Sequence, residues 1–448
     1  MKLTYLKSAG VLIENNGTKI LCDPWLVDGE YYGSWVHYPP PTFVPEDFND
    51  VDYIYISHIH LDHFSPKTLS KMNKNIPVLI LNYTTKFLKK NIETLGFNVH
   101  ELDHNQRIEL KDGLHINILA ADFCDPSLCY KHMGCAVVED KFGATHIDSI
   151  CVVDNGNQTI VNTNDCPFDI AKFSCSEIKK SYNKIDFLLV GYAGAGPYPQ
   201  CFQNLSDSQK LQEAEKKKID FYQQAESYIN LLQPKYYMPF AGRYTLAGNL
   251  TNFNNYRGVP ELEEAYSYFT TTNSINQNAQ KCLILNSEEY FDINNETQSH
   301  EYIPINIDKK FEYVNKKLSL QKYDYEYDTD PAINDILELL PNCYTRFEKI
   351  REFINFSSET KILINIPGKN IICVSCDGSG FSLLLKTKIP ELKKYVMFSV
   401  DSRLLFRLLR GPKFAHWNNA EIGSHILFER KPNEFERGLY YCICFFHI

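Results

Sequence analysis

Hydrophobic and polar residues alternate along the first sixty positions with the period of two that is typical of half-buried β-strands. The segments KLTYLK and VLIE, followed by the turn sequence NNGT and then KILCD, predict a β-hairpin and its continuation near the start of the chain. VDYIYIS, residues 51–57, predicts a further short strand that ends at Ser57. The first region is therefore expected to begin with sheet.

Strands and helices are predicted to alternate between residue 58 and residue 250. PKTLSKMNK, TTKFLKKNIETLG and residues 208–233 have the spacing of amphipathic helices. Strands are predicted in PVLILN, LHINILAAD, SICVVDN, QTIVNTND, IDFLLVGYAG and KYYMPF. This mixture of hairpins and β–α units favours an α/β fold in which helices cover the sheets.

The pattern divides the 448 residues into three regions, which agrees with a chain of more than one domain. Residues 1–250 carry the α/β pattern, 251–340 form a weaker connecting region, and 341–448 predict a small α+β domain. Helices are predicted there in YTRFEKIREFI and SRLLFRLLRG. Strands are predicted in KILINIP, NIICVSC, FSLLLKT, YVMFSV, SHILFER and YYCICFF.

The composition narrows the class of protein. Hydrophobic residues make up 44% of the chain and aromatic residues 13%, which excludes a wholly disordered protein. The net charge of −9 disfavours nucleic acid and anionic membranes as partners. Because no apolar run approaches the roughly 20 residues of a membrane span and the first residues do not resemble a secretion signal, we expect a cytoplasmic protein whose 14 cysteines are reduced.

Residues 57–66, SHIHLDHFSP, form the strongest candidate for a chemical site. His58 and His60 are two positions apart and point the same way from an extended backbone. Asp62 and His63 follow in the turn. Three imidazoles and one carboxylate in a single loop match the donors that a divalent metal ion prefers. The sequence therefore predicts a metal site directly after the strand VDYIYIS.

The motif H-x-H-x-D-H after a short strand, preceded by a hairpin that ends in LCDPW, resembles the metallo-β-lactamase superfamily. The resemblance implies a four-layer αβ/βα sandwich with one or two metal ions at the edge of the two sheets. His58, His60 and a later histidine would hold the first ion, and Asp62 and His63 the second. TIVNTNDCPFD resembles the segment that supplies the bridging carboxylate, which gives that role to Asp165.

Two positions of the implied ligand set depart from the family. Asp122, in ILAADFCDP, stands where a third histidine is expected, with His132 and His146 as alternatives. We favour Asp122 because it follows a predicted strand and would be held rigidly. The segment YYMPFAGRY lacks the last histidine. Carboxylates in place of imidazoles favour iron or manganese over zinc.

A closer resemblance is carried by GYAGAGPYPQCF, PFAGRYTLAGN and RGPKFAHWNNAEIGSHILFER, which are similar to segments of the CMP-N-acetylneuraminate hydroxylase family. Members of that family carry a Rieske iron–sulfur domain, which needs a C-x-H and a C-x-x-H pair. Cys129 and His132 form a C-x-x-H in this sequence, but no C-x-H is present. The resemblance is therefore to the hydroxylase without its Rieske domain. Residues 341–448 also resemble sterol-carrier-protein-like domains, which implies an apolar groove or the interface of a homodimer.

Three further features are candidates for binding or support. Gly194 and Gly196, in GYAGAGPYP, either bring backbone N–H groups close to an anion or form a tight turn. Arg243 either holds a phosphate or carboxylate of the substrate or forms a surface ion pair. Asp23, in LCDPW, either supports a metal ligand or forms the turn before Pro24.

The sequence favours a metal-dependent hydrolase that acts on a small anionic metabolite, with a nucleotide sugar as one candidate. Asp62 or Asp165 would orient the attacking water or accept its proton. The first alternative is a di-iron oxygenase that uses an external electron carrier, and the second is a metal-binding or ligand-binding protein without activity. We expect residues 341–448 to provide a wall of the substrate cleft or a dimer interface and no metal ligand, so that metal binding survives their deletion.

Overall fold

The computed structural model of the chain describes residues 1–121, 148–272, 274–275 and 279–448. Two large β-sheets pack face to face in this part of the chain, and helices pack against them. A separate five-stranded sheet follows toward the end of the chain. No helix in the described ranges combines the length and the apolar character that crossing a bilayer requires.

The first sheet has eight strands in the order β17-β16-β1-β2-β3-β5-β6-β7. Its strands are β1 (Lys2–Lys7), β2 (Gly10–Asn15), β3 (Thr18–Cys22), β5 (Tyr53–Tyr55), β6 (Val78–Leu81), β7 (Val99–Leu102), β16 (Tyr290–Asp292) and β17 (Thr297–Gln298). β3 and β5 are parallel neighbours, with Cys22 opposite Tyr55. The residues that follow these two strands, Asp23 and Ser57, therefore meet at one edge of the sheet.

The second sheet has seven strands in the order β15-β13-β12-β11-β10-β9-β8. Its strands are β8 (Ile108–Glu109), β9 (His115–Ala120), β10 (Ser149–Asp154), β11 (Thr159–Asn162), β12 (Phe187–Gly191), β13 (Tyr236–Phe240) and β15 (Lys281–Cys282). β11, β12 and β13 run parallel to one another, so the segments that follow them leave the sheet at the same edge.

The helices lie between and around these strands. They are α1 (Pro66–Leu69), α2 (Phe87–Thr94), α3 (Phe168–Ser181), α4 (Asp207–Leu232), α5 (Leu262–Thr271), α6 (Ile307–Lys316), α7 (Ile333–Phe353), α8 (Ser402–Leu409), α9 (Trp417–Ile422) and α10 (Arg437–Ile443). Short 3-10 helices occupy Pro45–Phe48, Gly248–Tyr256, Leu318–Leu320, Asp324–Tyr327 and Lys386–Glu391. A two-stranded sheet pairs β4 (Trp35–Val36) with β14 (Thr245–Leu246).

Strand β12 shows how the second sheet is buried on both faces. Phe187 and Leu189 belong to the core between the two large sheets. Leu188 and Val190 belong to a second core, which the sheet forms with α3, α4 and α5. This alternation follows from the period of two in a strand. The apolar run IDFLLVG is therefore the sequence of a fully buried strand.

The five-stranded sheet has the order β20-β19-β18-β21-β22. Its strands are β18 (Ser358–Asn365), β19 (Asn370–Cys376), β20 (Phe381–Leu385), β21 (Tyr395–Ser399) and β22 (Leu427–Lys431). Side chains of this sheet and of α7–α10 share one core with Trp25, Tyr31 and Trp35, which are completely buried. The end of the chain therefore covers a loop of the first sixty residues.

The structure differs from the sequence-based prediction in two elements. YYCICFF, predicted as a strand, lies mostly in helix α10 and the turn after it. Cys442, Ile443 and Phe446 of this segment, with Leu439 just before it, are buried at helical spacing and belong to the C-terminal core. The sandwich also extends past residue 250, because β15, β16 and β17 complete its sheets. These strands are only two or three residues long, too short to give a clear pattern.

Candidate metal centre

The loop after β5 brings three histidines and an aspartate together. The backbone N–H groups of His63 and Phe64 both donate to the carbonyl oxygen of His60, which closes the loop into a tight turn. As a result, Nε2 of His58 and Nδ1 of His60 face each other at 2.8 Å. Nε2 of His63 lies 3.6 Å from Oδ2 of Asp62 on the other side of the turn.

Asp165 enters the same space from the second sheet, three residues after β11. The amide of Asn164 donates to the carbonyl oxygen of Ser149 at 2.7 Å and fixes this turn. Gly191 permits the close approach of the turn to β12, because a Cβ at that position would lie 2.8 Å from the carbonyl oxygen of Asn164. Oδ2 of Asp165 consequently lies 3.3 Å from Nε2 of His63 and 4.0 Å from Nε2 of His58.

These side chains form two groups that could each hold a metal ion. The candidate ligand atoms of His58, His60 and Asp165 all lie within 4.8 Å of one another. The same limit holds for Asp62, His63 and Asp165. Asp165 belongs to both groups, and a carboxylate can bridge two ions because it has two oxygens. The arrangement suits a dinuclear centre with imidazole and carboxylate ligands.

His63 has the surroundings of a metal ligand. Its Nδ1 lies 2.7 Å from Oδ2 of Asp23, whose other oxygen accepts a hydrogen bond from the backbone N–H of Ser57. A carboxylate on one ring nitrogen orients the ring and makes the other nitrogen a better ligand. That other nitrogen, Nε2, is buried and has no hydrogen-bond partner among the described residues. The residues therefore fit a metal ion at this position.

The charges in the centre shift the pKa values of the histidines in opposite directions. Burial alone would lower the pKa of His63, but the carboxylates of Asp165, Asp23 and Asp62 raise it well above the ordinary value. Burial and the neighbouring imidazoles lower the pKa of His58 well below the ordinary value, which favours the neutral ring. A concentration of carboxylates around His63 marks the second group as the more strongly negative one.

Two supporting residues escaped the sequence analysis. The hydroxyl of Tyr31 donates to Oδ1 of Asp62 at 2.6 Å. Oδ1 of Asp148 lies 3.5 Å from Nδ1 of His58. Tyr31 lies in an aromatic loop without a recognisable motif, whereas Asp148 directly precedes the predicted strand SICVV, a position that could have drawn attention to it.

Tyr31→Phe should weaken the binding of the metal ion held by Asp62 and His63 by about tenfold, because the substitution removes the hydrogen bond that orients Asp62. Competition with a chelator measures this affinity. Tyr192→Phe is a matched control, since the hydroxyl of this buried tyrosine donates to the carbonyl oxygen of Pro260 at 3.4 Å and has no other hydrogen bond to the described residues. Equal metal affinities of the two variants would show that Tyr31 does not orient Asp62.

Glu30 connects the Tyr31 loop to helix α1. Its Oε1 accepts a hydrogen bond from the hydroxyl of Ser65 at 2.6 Å. The side chain is buried, and this burial raises the pKa of Glu30 to about 7. The folded protein therefore holds a proton on Glu30 that the unfolded chain releases above its ordinary pKa. This difference makes the folded state less stable as the pH rises toward 7.

Glu30→Gln should consequently stabilise the protein at pH 8 by about 2–3 kcal/mol more than at pH 5. Glutamine keeps an oxygen for Ser65 and has no proton to release. Thermal unfolding of both proteins at the two pH values measures the effect. Glu359→Gln serves as the control, because the Glu359 side chain is 87% exposed. A stability difference that is the same at both pH values would contradict the assignment.

The structure places the remaining predicted site residues as follows. A Cβ on Gly194 would collide with the ring of Phe221 in α4, so close packing explains this glycine. Gly196 has open space around its Cα and accepts a hydrogen bond from the Gln200 amide. Nη2 of Arg243 lies 3.3 Å from Oε2 of Glu261.

The candidates for the third metal ligand lie outside the described residues; they are Asp122, His132 and His146. Ala241 and Gly242 follow β13, where the last histidine of the family is expected.

The comparison with known families agrees with this architecture. Residues 2–134 match the family model described as the β-lactamase superfamily domain. The two-sheet sandwich and the H-x-H-x-D-H loop at its edge are the features that this superfamily implies. Over these residues the chain is similar to the β-lactamase superfamily domain, and its two-sheet sandwich has the metallo-β-lactamase fold.

Two relatives represent two kinds of protein to which the chain is similar. A "Putative Rieske 2Fe-2S iron-sulfur protein" of Mycolicibacterium smegmatis is 32% identical over 45% of this chain and 36% of its own length. Cytidine monophosphate-N-acetylneuraminic acid hydroxylase of Danio rerio is 26% identical over 55% of this chain and 38% of its own length. The matched region is therefore less than half of either relative.

Among solved structures, an isothiocyanate hydrolase from Delia radicum gut bacteria superposes with a TM-score of 0.43 at 15% identity. The superposition covers 65% of this chain and 99% of that structure.

Proposed function

We propose that the protein is a metal-dependent hydrolase with a dinuclear centre that acts on a small organic anion. The position of Asp165 carries this proposal, because one carboxylate lies within 4.0 Å of histidines from both ligand groups. Hydrolysis requires only water, metal ions and a proton acceptor. The histidines and carboxylates of this centre would hold the metal ions, and a carboxylate would accept the proton.

The metal ions would lower the pKa of a bound water molecule and polarise the bond that is attacked. The side chains of the chain have separate roles around them. His58 and His60 with Asp165, and Asp62 with His63 and Asp165, would hold the ions. Asp23 keeps His63 in the tautomer that presents Nε2, and the Tyr31 hydroxyl fixes the orientation of Asp62. Asp62 or Asp165 would orient the water or accept its proton.

The C-terminal region supports an anionic substrate. Burial lowers the pKa of His60, and the positive charge of Arg437 at the start of α10 lowers it further, although Asp62 and Asp165 act in the opposite direction. Of the effects that shift the pKa of His60, that of Arg437 is the smallest. A guanidinium at this position would attract an anion toward the metal ligands. Such an attraction would give residues 341–448 the role of a cleft wall, which is one of the two roles expected from the sequence.

A nucleotide-linked sugar is the substrate class that we favour. Cytidine monophosphate-N-acetylneuraminic acid, the compound in the name of the Danio rerio relative, carries both a phosphate and a carboxylate. Such an anion would complement the charge of Arg437. The alignment covers only 38% of that relative, so the substrate class rests on the similarity of the matched region alone.

The second candidate is an oxygen-dependent hydroxylation that draws electrons from an external carrier. His58, His60 and Asp165 form a set of two imidazoles and one carboxylate, which is the donor set of many non-haem iron oxygenases. The names of the relatives, a Rieske protein and a hydroxylase, also favour iron chemistry. For this reason the metal is proposed to be iron or manganese in preference to zinc.

Elemental analysis of protein purified without chelator, followed by two assays, separates these candidates. Hydrolysis is measured with p-nitrophenyl esters and with bis-p-nitrophenyl phosphate. Oxygen consumption is measured in the presence of a chemical reductant. We expect two metal ions per chain and hydrolysis of at least one ester, and His58→Ala/His60→Ala should lose both. Two iron ions with oxygen consumption and without ester hydrolysis would support the hydroxylase instead, and metal binding without either activity would support a binding protein.

A further inference from the structure

A cavity of 420 Å³ opens at the same end of the sandwich as the metal centre, beside the carboxyl end of β1. Its volume lies in the range of pockets for small molecules. Polar groups from several separate parts of the chain line it, together with apolar surface from Leu285 and Pro304. Its charged lining residues are the cations Lys7, Arg243 and Lys309 and the carboxylates Glu288 and Glu289, so the lining carries one more positive than negative charge. Ser8 and His37 are among its other polar residues.

Lys7 is a buried cation that makes no direct ion pair with any described residue. Its side chain is largely excluded from solvent, and its ammonium donates one hydrogen bond, to the carbonyl oxygen of Pro39 at 2.9 Å. Among the described residues, no carboxylate oxygen lies within 4.0 Å of this nitrogen. An ammonium has three donors, so two remain unused. A buried charge that is neither paired nor fully hydrogen-bonded costs free energy unless a ligand compensates it.

The pKa of Lys7 is lowered, as expected for a buried ammonium. Burial, followed by the positive charge of Arg243, lowers the pKa of Lys7 to about 8, even though Asp28 and Glu288 act in the opposite direction. The ammonium remains charged at neutral pH.

Arg243 adds a second positive charge that is only partly compensated. Glu261 contacts Arg243 through Oε2 and also accepts a hydrogen bond from Lys310 through Oε1. One carboxylate therefore serves two cations. A guanidinium has five donors, and the contact with Glu261 uses one of its nitrogens.

Two buried polar atoms at the cavity have no partner among the described residues. They are Nε2 of His37 and the hydroxyl oxygen of Ser8. Nδ1 of His37 lies 2.6 Å from Oδ1 of Asp28, and burial lowers the pKa of His37. The ring is therefore neutral, donates from Nδ1 and presents Nε2 as an acceptor. A ligand hydroxyl group could donate to this nitrogen.

An aromatic layer separates the cavity from the metal ligands. Tyr31, which contacts Asp62, packs against Trp35 with ring centres 4.5 Å apart. Trp35 stacks on Tyr244 at 3.5 Å, and Tyr244 lines the cavity. His37 packs on Trp25 at 3.9 Å. The cavity is thus a second site, and binding of a ligand in it would not require the proposed hydrolytic activity.

We propose that this cavity binds a small hydroxylated organic anion, whose carboxylate or phosphate contacts Lys7 and Arg243 and whose hydroxyl group donates to His37. The two unused donors of Lys7 and the hydroxyl of Ser8 would surround the anionic oxygens. The apolar surface of Leu285 and Pro304 would contact the carbon skeleton.

Isothermal titration calorimetry in Tris-chloride tests the proposal. Gluconate is the carboxylate probe, glucose 6-phosphate the phosphate probe, and glucose the neutral control. We expect saturable binding of at least one anion and none of glucose, and the anion that binds more tightly identifies the charged group. Lys7→Met should weaken this binding at least about tenfold. Lys281→Met removes an exposed lysine outside the cavity and should leave the affinity unchanged.

Two further variants keep the test decisive. Asp165→Asn should retain the affinity, because Asp165 belongs to the metal centre. Ser8→Ala removes a hydroxyl without a partner, so it should weaken binding without destabilising the fold, and it replaces Lys7→Met if that variant unfolds. Absence of saturable binding for both anions up to about 10 mM would overturn the proposal. Unchanged affinity in Lys7→Met or Ser8→Ala, or loss of binding in Asp165→Asn, would also overturn it.

Discussion

Asp165→Asn should remove both metal ions from the protein and lower turnover at least about a hundredfold. Asparagine has the shape of aspartate but lacks its negative charge, and it cannot supply two anionic oxygens to two ions. Because Asp165 belongs to both ligand groups, its loss should affect both ions equally. Elemental analysis and chelator competition measure the two occupancies.

Asp169→Asn is the matched control for this variant. Asp169 lies four residues further along the chain in the first turn of α3, where it is exposed. Its replacement should leave two ions per chain. If Asp165→Asn kept one ion at full affinity, the two groups would not share this carboxylate.

Deletion of residues 342–448 should abolish cooperative folding of the remaining chain, together with its metal binding. The deletion exposes Trp25, Tyr31 and Trp35, which are completely buried in the core shared with the C-terminal sheet. It also removes His425, whose Nε2 lies 2.7 Å from the backbone oxygen of Tyr31. Burial of each such side chain contributes about 1.5–3 kcal/mol, and a domain is stable by only about 5–15 kcal/mol in total.

This expectation reverses the one from the sequence, in which the metal site survives without the C-terminal region. Thermal unfolding and the metal content of the truncated chain decide between them. His425→Phe is the milder companion variant, because it removes the contact with the Tyr31 backbone while keeping an aromatic ring in the core. A truncated chain that unfolds at the same temperature as the full protein and binds the same amount of metal would show that the two regions are independent.

The parts of the candidate centre that the sequence predicts are those formed by local chain geometry. His58, His60, Asp62 and His63 lie within six consecutive residues, so one loop determines their arrangement. The contact between Asp23 and the loop follows from the parallel pairing of β3 and β5. Asp165 required the family resemblance, because more than a hundred residues separate it from the loop.

The parts that the sequence does not predict depend on tertiary contacts. Tyr31 and His425 are 394 positions apart, and no periodicity relates them. YYCICFF is rich in residues that favour strands, but the helical spacing of its buried residues matches the C-terminal core better. The short strands β15–β17 form because neighbouring strands provide their hydrogen-bond partners, although their own sequences have weak preferences.

A crystal structure of the protein purified with its metal, with anomalous scattering data collected at the absorption edge of that metal, tests the central claim most directly. The account predicts two anomalous peaks, about 3.5–4 Å apart. One should lie beside His58 and His60, the other beside Asp62 and His63, and Asp165 should contact both. A single peak, or two peaks of which Asp165 contacts neither, would contradict the account.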